Sequence, residues 1–321
     1  MVMEKLKSVT GIFLLSIGFL AVSNPAFAEN PMRITTEENV VSVYSDDNVL
    51  LRYRYENVPF KPYVQQLFSP RGINVLRDAP SDHLHHHALM FAVAVDGVNF
   101  WEEHLQPGRQ KHLSFTAHIH MGKTGSKTKY LTGFIENLEW INPRSGEVLL
   151  KELRTIKGRR FKEFEANILT WESKLSAPTG KESVTLTGSR YFGLGMRFTK
   201  SMDVRGDFRD AFGNSGVKET NDEQARWCSY TASANGKLVT IAMFDDPNNP
   251  RHPARWFTME KPFAYISATL NLHREPLKIE AGKPLVLRYG VAVWDGRVES
   301  DRIEKLCRKW NSRVILLRNL K

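Results

Sequence analysis

Cysteine is scarce in this 321-residue sequence, which contains two, Cys228 and Cys307. No C-x-x-C pair occurs, so the spacing of a cysteine zinc site or a dithiol redox site is missing. A G-x-S-x-G turn and an H-E-x-x-H segment are also lacking, which removes the local signatures of a serine hydrolase and a zinc protease. Pairing of the two cysteines stays open, because Cys228 falls in a predicted strand and Cys307 in a predicted helix.

Long hydrophobic runs are also few, and the most prominent one lies near the amino terminus. Lys5 and Lys7 precede an apolar stretch over residues 12–22, and Ala26-Phe27-Ala28 follows it. A charged start, a hydrophobic middle and an A-x-A site are the three parts of a secretory signal. A membrane anchor is the alternative, but the stretch is short of the roughly 20 residues that a spanning helix needs. We predict a cleaved signal peptide over residues 1–28, a periplasmic or secreted protein, and no stable membrane insertion.

Acidic residues are outnumbered by basic ones, 35 to 45, for a net charge of +10. The basic residues are scattered, and the densest run is KGRRFK at residues 157–162. This distribution is typical of a solvated basic surface, and attraction to acidic glycans or an anionic envelope is the alternative. Export argues against nucleic acid as a partner.

Helical periodicity is rare, whereas strand patterns recur along the chain. Asp96-Gly97 and Asn235-Gly236 each separate two apolar runs, which is a strong hairpin signal. Near the end, alternate residues are predicted to share one strand face: Leu285, Leu287, Tyr289, Val291 and Val293. One helix is predicted to begin near Ser300, with Ile303, Leu306 and Trp310 on its buried side. Ten or more strands without intervening helices predict a single all-β domain over residues 29–321, a large antiparallel β-sandwich with a short C-terminal helix.

Four of the ten histidines occur together in the segment SDHLHHHALMFAVAVDGVNFW, residues 81–101. If the strand after them extends backwards, His83, His85 and His87 share one face while Asp82 and His86 face the other way. Two imidazoles at that spacing can bind one divalent transition metal, with a third ligand from the nearby FWEEH segment: Glu102, Glu103 or His104. Without a metal, the same histidines can serve as general acid and base. A structural strand end is the third interpretation.

Three further segments place polar groups in or beside predicted strands. Glu152 and Arg154 alternate onto one strand face, where an arginine can orient a hydroxyl or carboxylate and a glutamate can act as a base; a solvated face is the alternative. FDDPNNPRHPARW, residues 244–256, is a proline-fixed polar loop suited to recognition or to simple connection. GSRYFGLGMRF, residues 188–198, has glycines that allow close approach of a ligand or another backbone.

Taken in order, DHLHHH, DGVNFW, KELR, FGNSG, DDPNNPRHPARW and AGKPLVLRYGVAVWDG resemble a bacterial family labelled "methane oxygenase PmoA-like". The resemblance covers roughly residues 55–300. It implies an exported β-sandwich of carbohydrate breakdown, similar to galactose-mutarotase-like sandwiches. It also implies that the functional positions are Asp82, His83, His85, His86, Glu152, Arg154, Asn249 and His252.

These observations favour an exported carbohydrate-active enzyme, a lyase, hydrolase or epimerase acting on a sugar or glycoside. Its cofactor is left open between none and one divalent metal at His83 and His85. The candidate catalytic residues are His83, His85, His86, Glu152, Arg154 and His252, and the candidate substrate-binding residues are Asp82, Asn249, Arg251 and Trp256. A non-catalytic glycan-binding module and a mononuclear metal oxidoreductase are the alternatives.

Overall fold

The computed structural model describes residues 32–104, 106–124, 127–203 and 205–318, so the predicted signal peptide lies outside it. The first strands are β1 (Met32–Glu37), β2 (Val40–Ser45), β3 (Asn48–Arg54), β4 (Tyr63–Leu67), β5 (Leu89–Ala92), β6 (Ala94–Val95), β7 (Val98–Asn99), β8 (Arg109–Thr124), β9 (Lys127–Ile141) and β10 (Val148–Phe161). They are followed by β11 (Ala166–Ser176), β12 (Ser183–Thr187), β13 (Gly193–Arg197), β14 (Asp207–Asp210), β15 (Trp227–Ala234), β16 (Lys237–Asp245), β17 (Arg255–Met259), β18 (Tyr265–Thr269), β19 (Leu277–Glu280) and β20 (Leu285–Asp295). The helices are α1 (Val217–Thr220) and α2 (Ser300–Arg318).

Two eight-stranded antiparallel sheets form the body of the fold. The first has the order β1-β2-β3-β4-β5-β13-β18-β17, and the second the order β14-β15-β16-β20-β11-β10-β9-β8. One continuous hydrophobic cluster joins side chains of both sheets, such as Leu51 and Val64 of the first with Ile156 and Leu287 of the second. This arrangement confirms the predicted antiparallel β-sandwich. A four-stranded sheet, β19-β12-β6-β7, lies beside them.

The predicted hairpins are present, but one predicted strand is interrupted. Asp96-Gly97 joins β6 to β7, and Asn235-Gly236 joins β15 to β16. The run ALMFAVAV, however, does not form one strand: it ends at Ala92, and a new strand begins at Ala94. The first half pairs with β13 in the first sheet and the second half with β12 in the small sheet.

Helix α2 covers the outer face of the second sheet. Ile303, Leu306 and Trp310 are buried there together with Trp294 and Phe244, as the helical spacing predicts. Trp310 also donates a hydrogen bond from Nε1 to Thr170 Oγ1 at 2.9 Å. On the opposite face of β20, Leu287, Tyr289, Val291 and Val293 point into the main core, which confirms the predicted alternation.

Within the described ranges, no helix combines the length and apolar character that crossing a membrane requires.

Candidate functional site

The histidine-rich segment Ser81–Ala88, called the histidine loop below, precedes β5. It is built of turns: the His83 amide donates to the Pro80 carbonyl at 2.9 Å, and the His86 amide donates to the His83 carbonyl at 3.0 Å. Ala88 has a φ of +47°, which interrupts an extended chain just before the strand. The strand therefore begins at Leu89 and does not continue backwards, so the alternation of histidines that depended on such an extension does not occur.

These turns bring three imidazole rings together. The ring of His83 stacks on that of His86 with centroids 4.7 Å apart, and His85 lies 4.6 Å from His86 and 5.6 Å from His83. His86, which alternation would have placed on the other face, thus belongs to the cluster, and His87 points away from it. Turns can direct neighbouring side chains to the same side, whereas a strand would place them on opposite faces.

Arg197, from the end of β13, links the loop to the sheet. Its Nη2 donates to Asp82 Oδ2 at 2.8 Å, and its Nη1 lies 3.3 Å from His86 Nδ1. Burial, together with the positive charge around it, lowers the pKa of His86 to about 2, so this ring is neutral and accepts from the guanidinium. Desolvation opposes ionisation of Asp82, but the hydrogen bond with Arg197 outweighs it and lowers the pKa of the carboxyl to about 2.

His85 and Glu102 form a partly exposed pair in the site. His85 Nε2 lies 3.4 Å from Glu102 Oε2, and about one fifth of each side chain is exposed. Tyr191 donates from Oη to Glu102 Oε1 at 3.0 Å and so fixes the carboxylate. Burial lowers the pKa of His85, and the negative charge of Glu102 opposes this effect only in part. The imidazole is therefore neutral near pH 7.

His87 belongs to a buried layer beneath this pair. Its Nδ1 lies 2.9 Å from Asp78 Oδ1, and its Nε2 lies 2.9 Å from Glu103 Oε1, in ion-pair range without hydrogen-bond alignment. Lys61 donates to the same Glu103 oxygen at 2.5 Å. Burial alone would lower the pKa of His87, but the two carboxylates outweigh burial and raise it. The layer is a network of ion pairs in which His87 joins Asp78 to Glu103.

The FWEEH segment lies across from the loop, as predicted from the hairpin. Glu102 faces His85 and Glu103 faces His87, while His104 is two-thirds exposed and 3.8 Å from Glu102. The two glutamates thus face different histidines of the loop. Across the described part of the chain, no group of three or more His, Cys, Asp or Glu side chains has the arrangement of a metal site. The geometry therefore does not fit the metal that the sequence left open at His83 and His85, and we derive no chemistry through one.

Glu152 and Arg154 do not join the histidine loop. Both side chains are fully buried between the sheets, where Arg154 Nη2 donates to Glu152 Oε2 at 2.8 Å. Trp140 Nε1 and Ser173 Oγ also donate to Glu152. Complete enclosure leaves no access for a substrate, so the pair is not part of the proposed catalytic site. The expected catalytic roles of these two residues are not supported by their positions.

The loop over residues 244–256 lies at the far end of the first sheet. Arg255 pairs with Thr269, which pairs with Gly193, which pairs with Ala92, the last residue of β5. The histidine loop precedes the first residue of β5. Because these strands are four or five residues long, the two loops sit at opposite strand ends, roughly 15 Å apart along the strand direction. His252 therefore lies away from the histidine loop, and its position does not support the candidate catalytic role.

The polar groups of that loop are used within the protein. Arg251 donates to the carbonyls of Leu270, Glu275 and Pro276. Asn249 donates to Asp245 at 2.6 Å and to the Arg288 carbonyl at 2.8 Å. Trp256 is buried and donates to the Ala225 carbonyl. His252 is one-quarter exposed, with Nδ1 2.6 Å from Asp245 Oδ2. These contacts hold the segment in place as a connection between two strands. They do not support substrate binding by Asn249, Arg251 and Trp256.

Comparison with known proteins assigns a family to the chain. A model described as a family of unknown function, DUF6807, matches residues 40–308. The chain belongs to DUF6807. The resemblance to the PmoA-labelled family remains an expectation, since this match carries no such description. A search of the curated proteins finds no match to this DUF6807 chain.

Among solved structures, the DUF6807 chain is similar to parts of α-galactosidases, of which AgaA is described as a GH36 enzyme. The enzyme AgaA of Geobacillus stearothermophilus is 9% identical with a TM-score of 0.42, over 82% of this chain and 40% of that enzyme. An α-galactosidase of Lactobacillus brevis is 6% identical with a TM-score of 0.43, over 83% and 40%. The chain thus spans about two fifths of the length of these enzymes. At such TM-scores the likeness carries no argument about activity.

Several residues of the site were missed by sequence analysis of this DUF6807 chain. Tyr191, Arg197, Asp78 and Lys61 reach the histidine loop or its buried layer from other strands and loops. One signal did exist, because Tyr191 and Arg197 both lie in the glycine-containing segment 188–198. There Gly195 gives room to Tyr265 and Trp101, so the predicted close approach is made by side chains.

Proposed function

We propose that this DUF6807 chain is a carbohydrate-active enzyme that uses the histidine loop to transfer protons on a sugar or glycoside. Lyases, hydrolases and epimerases share the need for a positioned group that accepts or donates a proton. The observation that carries the proposal is the partly exposed pair of His85 and Glu102, braced by Tyr191. Export to the periplasm or cell exterior is part of the proposal, on the pattern of residues 1–28.

His85 is the proposed general base. Because its Nε2 faces Glu102, its Nδ1 is the nitrogen left to accept a proton from a substrate. Its lowered pKa keeps it unprotonated near pH 7, and the Glu102 carboxylate stabilises the imidazolium formed when the proton is taken. Burial and the charge of Glu102 raise the pKa of Tyr191, so this phenol stays protonated and keeps its hydrogen bond to Glu102.

Neighbouring groups support a polyhydroxylated substrate. Asp82, held by Arg197, is 43% exposed and offers carboxylate oxygens to hydroxyl groups. Tyr191 and Phe257, both partly exposed, lie 5.8 Å apart and offer aromatic surface of the kind that packs against sugar rings, while the buried Trp101 supports Tyr191 from 5.4 Å. Buried polar atoms beside the loop, Arg197 Nε and Tyr265 Oη, have no hydrogen-bond partner among the described residues. Unsatisfied atoms of this kind are uncommon and often mark places where water or a ligand binds.

The test is product formation from a panel of sugars and glycosides by the purified chain and two near-isosteric variants. We expect His85→Gln and Glu102→Gln to lower kcat by about 100-fold or more, since general acid–base groups typically contribute that much. His118→Gln, an exposed histidine on β8, is the matched control and should retain full activity.

Turnover that survives both substitutions would remove the proposed roles. Binding of panel sugars without any product, lost in Asp82→Asn, would favour the non-catalytic glycan-binding alternative. If no sugar of the panel is bound or converted to product, the carbohydrate proposal as a whole is rejected.

A further inference from the structure

A second histidine–carboxylate pair lies away from the histidine loop, at the start of β8. His112 Nδ1 is 2.7 Å from Glu136 Oε1, and Glu136 is completely buried. The imidazole is held between the rings of Tyr55 and Phe115, with centroids 4.8 and 4.7 Å away. None of the proposed chemistry uses this pair, although it is shorter and better braced than that of His85 and Glu102.

His112 lines a cavity of about 370 Å³ between the segment 55–60 and the beginning of β8. Tyr55, Val58, Phe60 and Ile141 give it apolar walls, and Arg109 and Lys111 supply positive charge at its side. Arg109 lies over the Phe60 ring, 5.5 Å from its centroid. Glu56 is the acidic member of the lining. The cavity has the size of a small-molecule site and pairs an apolar body with a few polar groups.

The pair continues into the interior. Tyr53 Oη donates to Glu136 Oε2 at 2.5 Å and accepts from Arg154 Nη1 at 3.0 Å. Arg154 in turn is bonded to Glu152, so the two residues singled out in KELR lie behind this cavity. Burial raises the pKa of Tyr53 well above its ordinary value, so the phenol stays a neutral donor.

The position of Glu136 decides which nitrogen of His112 faces the cavity. Glu136 and Glu152 are both buried, and Arg154 donates to Glu152 directly but reaches Glu136 only through Tyr53. The two oxygens of the buried Glu136 have partners, Tyr53 Oη on one and His112 Nδ1 on the other, as a buried polar group requires. Because His112 Nδ1 faces Glu136, Nε2 is the nitrogen left to contact a ligand in the cavity.

We propose that this cavity is a second site, which binds a small carboxylate-bearing molecule with an apolar ring face. His112 donates to the carboxylate through Nε2, Arg109 and Lys111 add attraction, and the ring packs against Tyr55 and Phe60. Hydrogen bonds between charged partners are about twice as strong as neutral ones, so the carboxylate sets the affinity. A uronic acid and an aromatic acid share this chemistry.

The experiment is calorimetric titration of the purified chain with three probes: methyl β-glucuronide, its neutral counterpart methyl β-glucoside, and benzoate. We expect at least one of the two acids to bind on the order of tenfold or more tightly than the glucoside. His112→Gln and Arg109→Gln should each abolish that preference, because each removes a donor to the carboxylate. If the substitutions weaken the binding of glucuronide and benzoate unequally, the acid whose affinity falls more is the one that the site recognises.

Two controls separate this site from the histidine loop. His118→Gln, on the same strand, and His85→Gln should both leave the preference for the acids unchanged. The proposal is overturned if the acids bind no better than the glucoside, if nothing binds, or if His85→Gln removes the preference while His112→Gln keeps it. Circular dichroism of each variant verifies that the fold is retained, and Arg109→Gln, at an exposed position, tests the site even if His112→Gln unfolds.

Discussion

His87 has the opposite electrostatic behaviour from His86, its neighbour in the histidine loop, although both side chains are buried. The difference lies in its partners: His86 receives a guanidinium, whereas His87 lies between the carboxylates of Asp78 and Glu103. Lys61 completes a buried set with two positive and two negative charges. Burial lowers the pKa of Lys61, with Glu103 opposing, so the ammonium depends on that carboxylate. Within one short segment, the identity of the contact decides whether an imidazole is charged.

His87→Gln should lower the free energy of unfolding at pH 6 by roughly 3 kcal/mol, the scale of removing one partner of a buried ion pair. Folding raises the pKa of His87 above its unfolded-state value of about 6.5. The contribution of His87 to the free energy of unfolding is therefore complete below that pH and is lost as the pH rises through the folded-state pKa. Denaturant unfolding between pH 6 and 9 should therefore show wild-type stability falling towards that of the variant.

The control for this experiment is His118→Gln, which should keep the wild-type dependence on pH. A constant difference between wild type and His87→Gln across the whole range would contradict the assignment of a charged His87.

At the same scale, the sequence predicted the residues of the site that are close together in the chain, but not their partners from distant segments. The histidine loop and the glutamates of FWEEH are close in sequence, and their proximity in space follows from one hairpin. Arg197 is 115 residues from Asp82, and Tyr191 is 89 residues from Glu102. No local pattern encodes such contacts. Glu152 and Arg154 illustrate a different limit, because alternating charges on a strand look the same whether they face water, a ligand or each other.

At the scale of elements, the hairpins and helix α2 follow from local rules, whereas strand membership does not. Asp-Gly and Asn-Gly turns fix their own geometry, and the spacing of Ile303, Leu306 and Trp310 marks a helix face wherever it packs. The division of ALMFAVAV at Val93 depends on β12 and β13, strands that lie about 90 and about 100 residues later. A continuous apolar run cannot reveal that its two halves serve different sheets.

Strand β13 carries Arg197 to the histidine loop, and Gly195 in it allows the aromatic layer below to pack. A Cβ at this position would overlap Tyr265 Oη and lie 2.8 Å from Trp101 Cη2. Gly195→Ala should therefore destabilise the fold by about 1–3 kcal/mol, the usual cost of overpacking a core. Chemical denaturation measures this cost.

A double-mutant cycle tests the cause. In a Tyr265→Phe background the colliding oxygen is absent, so Gly195→Ala should cost measurably less than in the wild type. Equal costs in the two backgrounds would show that Tyr265 is not what requires glycine here.

At the scale of the whole molecule, the sandwich has two hydrophobic clusters with a sheet between them. The larger fills the space between the two main sheets, and the smaller lies between the second sheet and α2. Cys228 faces the first cluster and Cys307 the second, and both are free. The sheet thus separates the two thiols, which answers the question of pairing that the sequence left open.

Thiol labelling should report this architecture. Burial raises the pKa of Cys307 to about 12 and that of Cys228 well above its ordinary value, so neither forms the reactive thiolate at neutral pH. Iodoacetamide should leave the native chain unmodified and add two groups after denaturation without reductant, as measured by mass spectrometry. Ser145→Cys, at an exposed turn, should gain one group in the native state and so verify the reagent. A denatured chain that accepts label only after reduction would mean that the cysteines are joined, which two thiols on opposite faces of one sheet do not allow.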